Sequence, residues 1–188
     1  LTKFFDIETS LMQKCYDLNQ AKSIIEIDDI YPGIVRAEDR FGFKLSEAHI
    51  DAIKAFTQHN VLVITGPAGT GKTTVISTIT EIVKRYSILL CALSASAAQR
   101  MQNVSAEKAY TCHKALGFSG QKFLYNIKSP WPYSCIIVDE SSMNDLLLMK
   151  AIMDAIPLGA KVIFVGDHFQ VTPIGPGAFF KDLIDDPE

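Results

Sequence analysis

The spacing of apolar residues divides this chain at Leu45. Before it, Phe4, Ile7, Leu11, Cys15 and Leu18 recur at helical intervals, with Ile24, Ile25 and Ile27 following. Tyr31-Pro32-Gly33 reads as a turn that closes this N-terminal helical segment. From Leu45, LSEAHIDAIKAF predicts a helix with Ser46 as its N-cap and Ile50, Ile53 and Phe56 on its apolar side. Four short runs are then apolar at successive positions: VLVIT (61–65), SILLCAL (87–93), SCIIVD (134–139) and KVIFVGD (161–167). Each predicts a strand buried on both faces. Helical stretches fall between them, among them Lys72 to Tyr86 and MNDLLLMKAIMDAI (143–156). Such alternation predicts an α/β domain, a parallel sheet covered by helices on both faces. The expected division is a helical segment over 1–44 and an α/β domain over 45–188.

Composition narrows the class. With 188 residues, 48% hydrophobic and 21% charged, the chain has ample material for a core, and disorder is excluded. The formal net charge of -3 supplies no global basic field, so nucleic-acid binding would need a local patch. Arginine is confined to Arg36, Arg40, Arg85 and Arg100. Four cysteines, Cys15, Cys91, Cys112 and Cys135, form no C-x-x-C pair. Cys91 and Cys135 lie in the apolar strands and read as buried reduced thiols, which suit the cytoplasm. No run approaches the ~20 apolar residues that span a bilayer. LTKFFDIETS lacks both a signal-peptide layout and an initiator methionine, which suggests a piece of a longer protein.

The chemistry is concentrated after the first strand. GPAGTGKT matches the phosphate-binding pattern G-x-x-x-x-G-K-[ST], between a strand and a helix. Gly66, Gly69 and Gly71 let the backbone turn its N–H groups inward on an anion, with Pro67, Ala68 and Thr70 completing the loop. The helix that follows contributes its positive end. Lys72 is expected to reach the β- and γ-phosphates, Thr73 to ligate magnesium, and Thr74 to line the same site. CIIVDESS puts Asp139 at the end of a strand as the second magnesium residue and Glu140 beside it as the catalytic base. The next strand ends in GDHFQ, where Gln170 is positioned to sense the γ-phosphate beside Asp167 and His168. His168 has no histidine or cysteine at ligand spacing and reads as an exposed loop residue.

Taken together, these segments resemble the first motor domain of superfamily 1 helicases, in the RecD-like branch that moves 5′-to-3′ on single-stranded DNA. The resemblance covers Leu45 to Ile184 and rests on ordered motifs. LSEAHIDAI resembles L-[ST]-x-x-Q-x-x-A-[IL], and GPAGTGKTT the first motif. ALSASAAQRM resembles A-P-T-G-R-A-A, YTCHKALG resembles T-I-H-x-L-L-G, and IIVDESSM is similar to V-D-E-[AS]-S-M. VGDHFQVTPIGPGAFFKDLI resembles G-D-x-x-Q-L-P-[PS]-V-G-x-G-x-x-L-x-D-L-I, the most diagnostic of the set. The implied fold is a RecA-like P-loop domain using ATP and Mg2+.

The resemblance also implies contacts to the DNA backbone at Ser94, Ser96, Arg100, Thr111 and His113. Ser94 keeps the hydroxyl of the family's threonine. Ser96 stands where the family has arginine and loses a phosphate contact, which Arg100 one turn on would restore. His49 stands where a glutamine reads adenine, and imidazole cannot make that two-point contact. Thr172 replaces a usual proline. Phe118, Phe123, Tyr125, Trp131 and Tyr133 could stack bases, although core packing explains them as well.

Motors of this type hydrolyse ATP between two such domains, with an arginine from the second. The chain ends 18 residues past Gln170, so it is expected to bind nucleotide, hydrolyse it slowly and not unwind DNA alone. Two other readings fit the residues: a P-loop ATPase of clamp-loader type, and a nucleotide-switched binding module without movement. RNA as the track is a further variant, since phosphate contacts do not read the sugar.

Overall fold

A computed structural model describes residues 2–105, 107–167 and 179–185. The strands are β1 (Val61–Thr65), β2 (Ile88–Ala92), β3 (Ala109–Thr111), β4 (Cys135–Asp139) and β5 (Lys161–Gly166). The helices are α1 (Thr2–Gln20), α2 (Tyr31–Phe41), α3 (Glu47–Gln58), α4 (Lys72–Ile82), α5 (Ala95–Ser105), α6 (Cys112–Ala115), α7 (Leu146–Ala155) and α8 (Phe179–Asp185). The strands form one parallel sheet in the order β1-β5-β4-β2-β3.

Side chains along each central strand alternate between two apolar layers, as the pleat requires. Leu89, Cys91, Ile136, Val138, Val162 and Phe164 face one layer, with α1, α6, α7 and α8. Leu90, Ala92, Cys135, Ile137, Ile163 and Val165 face the other, with α2, α3, α4 and α5. Leu11, Cys15 and Leu18 of α1 join the first layer and Ile34 of α2 the second. The N-terminal helices thus complete both covers of the sheet. All four cysteines are buried free thiols. No helix among the described residues is long and apolar enough to cross a membrane.

Several local expectations change. Tyr31-Pro32-Gly33 does not turn the chain but opens α2, with proline in the first turn where its missing N–H costs nothing. Gly33 is there for space, because a β-carbon on it would run into Ile82 of α4. The N-terminal helix ends at Gln20, and residues 21–30 are irregular. Helix α4 stops at Ile82 rather than Tyr86. The 143–156 helix starts at Leu146, where the Asp145 carboxylate accepts the Leu148 N–H at 2.8 Å and caps it. The short strand β3 was not expected.

Candidate nucleotide and nucleic-acid site

Parallel sheets bind ligands beyond the carboxyl ends of their strands, and the pairing register lines the predicted residues up there. Thr65 pairs with Gly166, Ala92 with Asp139, and Ala92 with Thr111 on its other side. The phosphate loop after β1, the acid pair after β4, Ser94 after β2 and Thr111 at the end of β3 therefore share one edge. Gln170, His168 and Thr172 lie outside the described residues.

In the loop, Gly66, Gly69 and Gly71 have φ of 150°, 84° and 86°. Gly71 is the N-cap of α4, which directs that helix's free N–H groups toward the loop. The Lys72 ammonium lies across the mouth, donating to the carbonyls of Gly66 at 2.5 Å and Pro67 at 2.8 Å. The Thr70 hydroxyl donates to Pro67 O at 2.9 Å and closes the turn. Thr73 is exposed and Thr74 half-buried on the first turn of α4. His49 reaches this loop from α3. It completes a capping box with Ser46, and its Nε2 is 3.4 Å from the Thr70 carbonyl.

Asp139 is largely enclosed. Burial raises its carboxyl above the usual carboxylate range, assisted by the neighbouring Glu140 charge; the Glu140 N–H, Arg100 and Lys72 pull the other way. Lys72 and Asp139 thus feel each other across the site. The donor set suits a magnesium-bound triphosphate: the free N–H groups at the start of α4, the Lys72 ammonium, the Thr73 hydroxyl and the Asp139 carboxylate. Among the described residues no three His, Cys, Asp or Glu side chains cluster as an all-protein metal site; magnesium is ordinarily held by one or two protein oxygens together with water and substrate phosphates.

Glu140 is the only described non-glycine residue with positive φ, at 55°, a left-handed conformation costing roughly 1–2 kcal/mol per residue. Strain of this kind is characteristic of functional sites. Its two carboxylate oxygens are both engaged: Arg100 Nη2 donates to Oε1 at 3.0 Å and Ser94 Oγ donates to Oε2 at 2.9 Å. Ser94 Oγ also accepts the Ala97 N–H at 3.1 Å, capping α5, and lies 3.1 Å from Ser96 Oγ. Ser94 and Arg100, expected on DNA, are therefore also the partners of the expected base.

Thr111 caps α6 by accepting the Lys114 N–H at 3.3 Å. His113 is exposed and sits edge-on to Phe118, ring centroids 5.7 Å apart. Phe118 is exposed, whereas Phe123, Tyr125 and Tyr133 pack against the core. Trp131 belongs to the core, its indole N–H donating to Ala115 O at 2.9 Å. Sequence reasoning missed Ser142, whose hydroxyl accepts the Asp167 N–H at 3.3 Å and ties the acid-pair turn to the end of β5. Its only signal was the second serine of DESS.

Residues 49–176 match the family described as AAA domain. The chain is 36% identical over 135 residues to the ATP-dependent RecD2 DNA helicase of Deinococcus radiodurans, covering 71% of this chain and 19% of that protein. It is 27% identical to the RecBCD enzyme subunit RecD of Buchnera aphidicola, covering 96% of this chain and 34% of that one. It is 33% identical to the ATP-dependent DNA helicase dda of Enterobacteria phage T4, covering 67% and 30%. The chain thus spans about a fifth to a third of these relatives. A Bacteroides Pif1 structure solved with single-stranded DNA shares the fold, with a TM-score of 0.52 and 24% identity over 75% of this chain and 36% of that one. The chain belongs to the AAA-domain family, as a motor domain of the RecD-like branch of superfamily 1 helicases.

Proposed function

We propose that this domain binds Mg-ATP at the loop of Gly66 to Thr74 and couples its hydrolysis to 5′-to-3′ movement on single-stranded DNA. The observation that carries this reading is the shared edge on which Ser94 and Arg100 touch Glu140. A residue expected to work on water and residues expected to hold a track are in direct contact there.

On binding, the Lys72 ammonium would leave the carbonyls of Gly66 and Pro67 for the β- and γ-phosphates. Thr73 and Asp139 would hold the magnesium ion, which supplies charge neutralisation at the phosphates. Glu140 would take the proton of the attacking water, and Gln170 would register the γ-phosphate. Thr111 and His113 would extend the track beyond Ser94, Ser96 and Arg100.

Arg36 is paired with Glu81, Arg40 with Ser77 and Arg85 with Glu26 O, and Arg100 is assigned here to Glu140 and the track. The transition-state arginine would therefore come from a second RecA-like domain, and this chain alone would turn over slowly. An arginine of that kind is worth ~10³–10⁵ in rate.

Hydrolysis with and without oligo-dT, in wild type and Glu140→Gln, tests the proposal. A motor shows stimulation by oligo-dT that Glu140→Gln abolishes while nucleotide still binds. Intact nucleotide binding with no oligo-dT effect would favour a nucleotide-switched binding module.

A further inference from the structure

We infer that Phe43 is the platform on which the base of the bound nucleotide stacks. The inference rests on the reading of the loop from Gly66 to Thr74 as a triphosphate site, and it adds how the other end of the ligand is held.

The platform is built before any ligand arrives. Phe43 is 51% exposed, and its ring lies on that of Phe41, with centroids 5.4 Å apart and planes 17° from parallel. The Arg40 guanidinium in turn stands 5.1 Å from the centre of the Phe41 ring. Gly42, left-handed with φ of 74°, ends α2 and turns the chain between the two rings. Glu38 then fixes the segment that follows. Its carboxylate accepts from Lys44 Nζ at 2.6 Å and from the Leu45 N–H at 2.9 Å. A ring whose backbone is held on both sides loses little freedom when a ligand lies on it.

Two connections bring this stack beside the phosphate loop. Three residues after Phe43, Ser46 caps α3, and His49 in the first turn of that helix carries Nε2 to 3.4 Å from Thr70 O. Phe43 is therefore at most ~10 Å of extended chain from the cap. On the other flank, Arg40 Nη2 donates to Ser77 Oγ and, at 3.4 Å, to Ser77 O. Ser77 lies five residues along α4 from Lys72, about 7–8 Å at the rise of a helix. A nucleoside triphosphate with its phosphates on the first turn of α4 spans such separations.

The chemistry of this flank suits a base. Both His49 nitrogens are engaged with backbone, Nδ1 by the Ser46 N–H and Nε2 at the Thr70 carbonyl, so His49 has no free group for the edge of a base. What the flank offers instead is an aromatic face. Such a face holds any base through its π-surface, whatever groups the edge carries, and the larger purine rings cover it best.

Calorimetric titrations of wild type and Phe43→Ala with Mg-ATP, Mg-UTP and magnesium tripolyphosphate test the platform. Wild type should hold ATP more tightly than UTP. Phe43→Ala should weaken ATP roughly five- to twentyfold, within the range for one base stacked on an aromatic ring, and should erase most of the margin over UTP. Tripolyphosphate has no base, and its affinity should be the same in both proteins. Unchanged ATP affinity in Phe43→Ala would overturn the inference, as would equal losses for ATP and tripolyphosphate, which mark a disturbed loop. A direct readout is Phe43→Trp, because the one native tryptophan, Trp131, is buried in the core. Mg-ATP should quench the added fluorescence and tripolyphosphate should not. Saturation with ATP and no quenching would overturn the stack. Tripolyphosphate that fails to bind wild type would sink the reading of the loop itself, an outcome distinct from failure of the platform alone.

Discussion

Gly71 lies against the imidazole of His49 so closely that a β-carbon on Gly71 would overlap Nε2. Gly71 also has φ of 86°, a conformation L side chains rarely adopt. The start of α3 and the start of α4 are thereby interlocked around the phosphate loop. Gly71→Ala should displace His49 and the first turn of α4 together. The expected outcome is at least about tenfold weaker nucleotide binding and roughly 1–3 kcal/mol lower stability. A fluorescent-nucleotide titration with a parallel thermal melt checks both; wild-type affinity would show that the interlock is dispensable.

His49 itself is fully occupied with backbone. Ser46 N–H donates to Nδ1 at 3.4 Å, which leaves the proton on Nε2, facing the Thr70 carbonyl. Neither nitrogen is left to read the amino edge of a purine. Wild type should therefore bind ATP and GTP within about tenfold of each other, since a missing hydrogen-bonded contact removes the strongest source of discrimination. His49→Gln should raise the preference for ATP. Competition titrations against a labelled nucleotide decide it, and strong ATP selectivity in wild type would sink this account.

Asp139 presents a pH-dependent cost of function. Its folded pKa is raised above 3.8, chiefly by burial, so the native state holds that proton more tightly than the unfolded chain. Stability is lost as pH rises from about 3.8 through the folded value, and at neutral pH the ionised carboxylate is a liability. Asp139→Asn keeps an oxygen for the Glu140 N–H, now accepted at 2.8 Å. It should gain about 0.5–2 kcal/mol at pH 7, the gain shrinking toward pH 3.8, while magnesium-dependent nucleotide binding weakens. Urea unfolding across pH measures this. A less stable Asp139→Asn protein at pH 7 would contradict it.

The central strands were legible because each is apolar on both faces, a pattern few other structures require. Strand β3 was not, since Ala109–Thr111 has three half-buried residues and no period to read. Pro32 and Gly33 were misread because proline starts helices as readily as turns. What fixes Gly33 is Ile82, 49 residues away in sequence. The same distinction runs through the site. The phosphate loop is one contiguous stretch and announces itself. The contact of Ser94 and Arg100 with Glu140 spans 46 and 40 residues, and exists only because β2 pairs with β4 in the observed register.

Lys161 was hidden in a strand that otherwise reads as apolar. It is 2% exposed, and its ammonium donates to Phe56 O at 2.9 Å and His59 O at 2.8 Å, over the Phe56 ring. These carbonyls at the end of α3 have no helical partner, and a cation there opposes the negative end of the helix. Lys161→Met preserves bulk but leaves them unpaired, at a cost of roughly 1–3 kcal/mol, or about 2–4 °C in melting temperature per kcal/mol for a chain of this size. Burial also lowers the pKa of Lys161 from 10.5. Between that lowered value and 10.5 the native state binds fewer protons than the unfolded chain, so stability rises with pH. The wild-type advantage over Lys161→Met should therefore widen on the alkaline side, because a neutral amine still donates to both carbonyls without the burial penalty of its charge. Melting both proteins from pH 7 upward separates this from simple packing loss, which would give a constant difference.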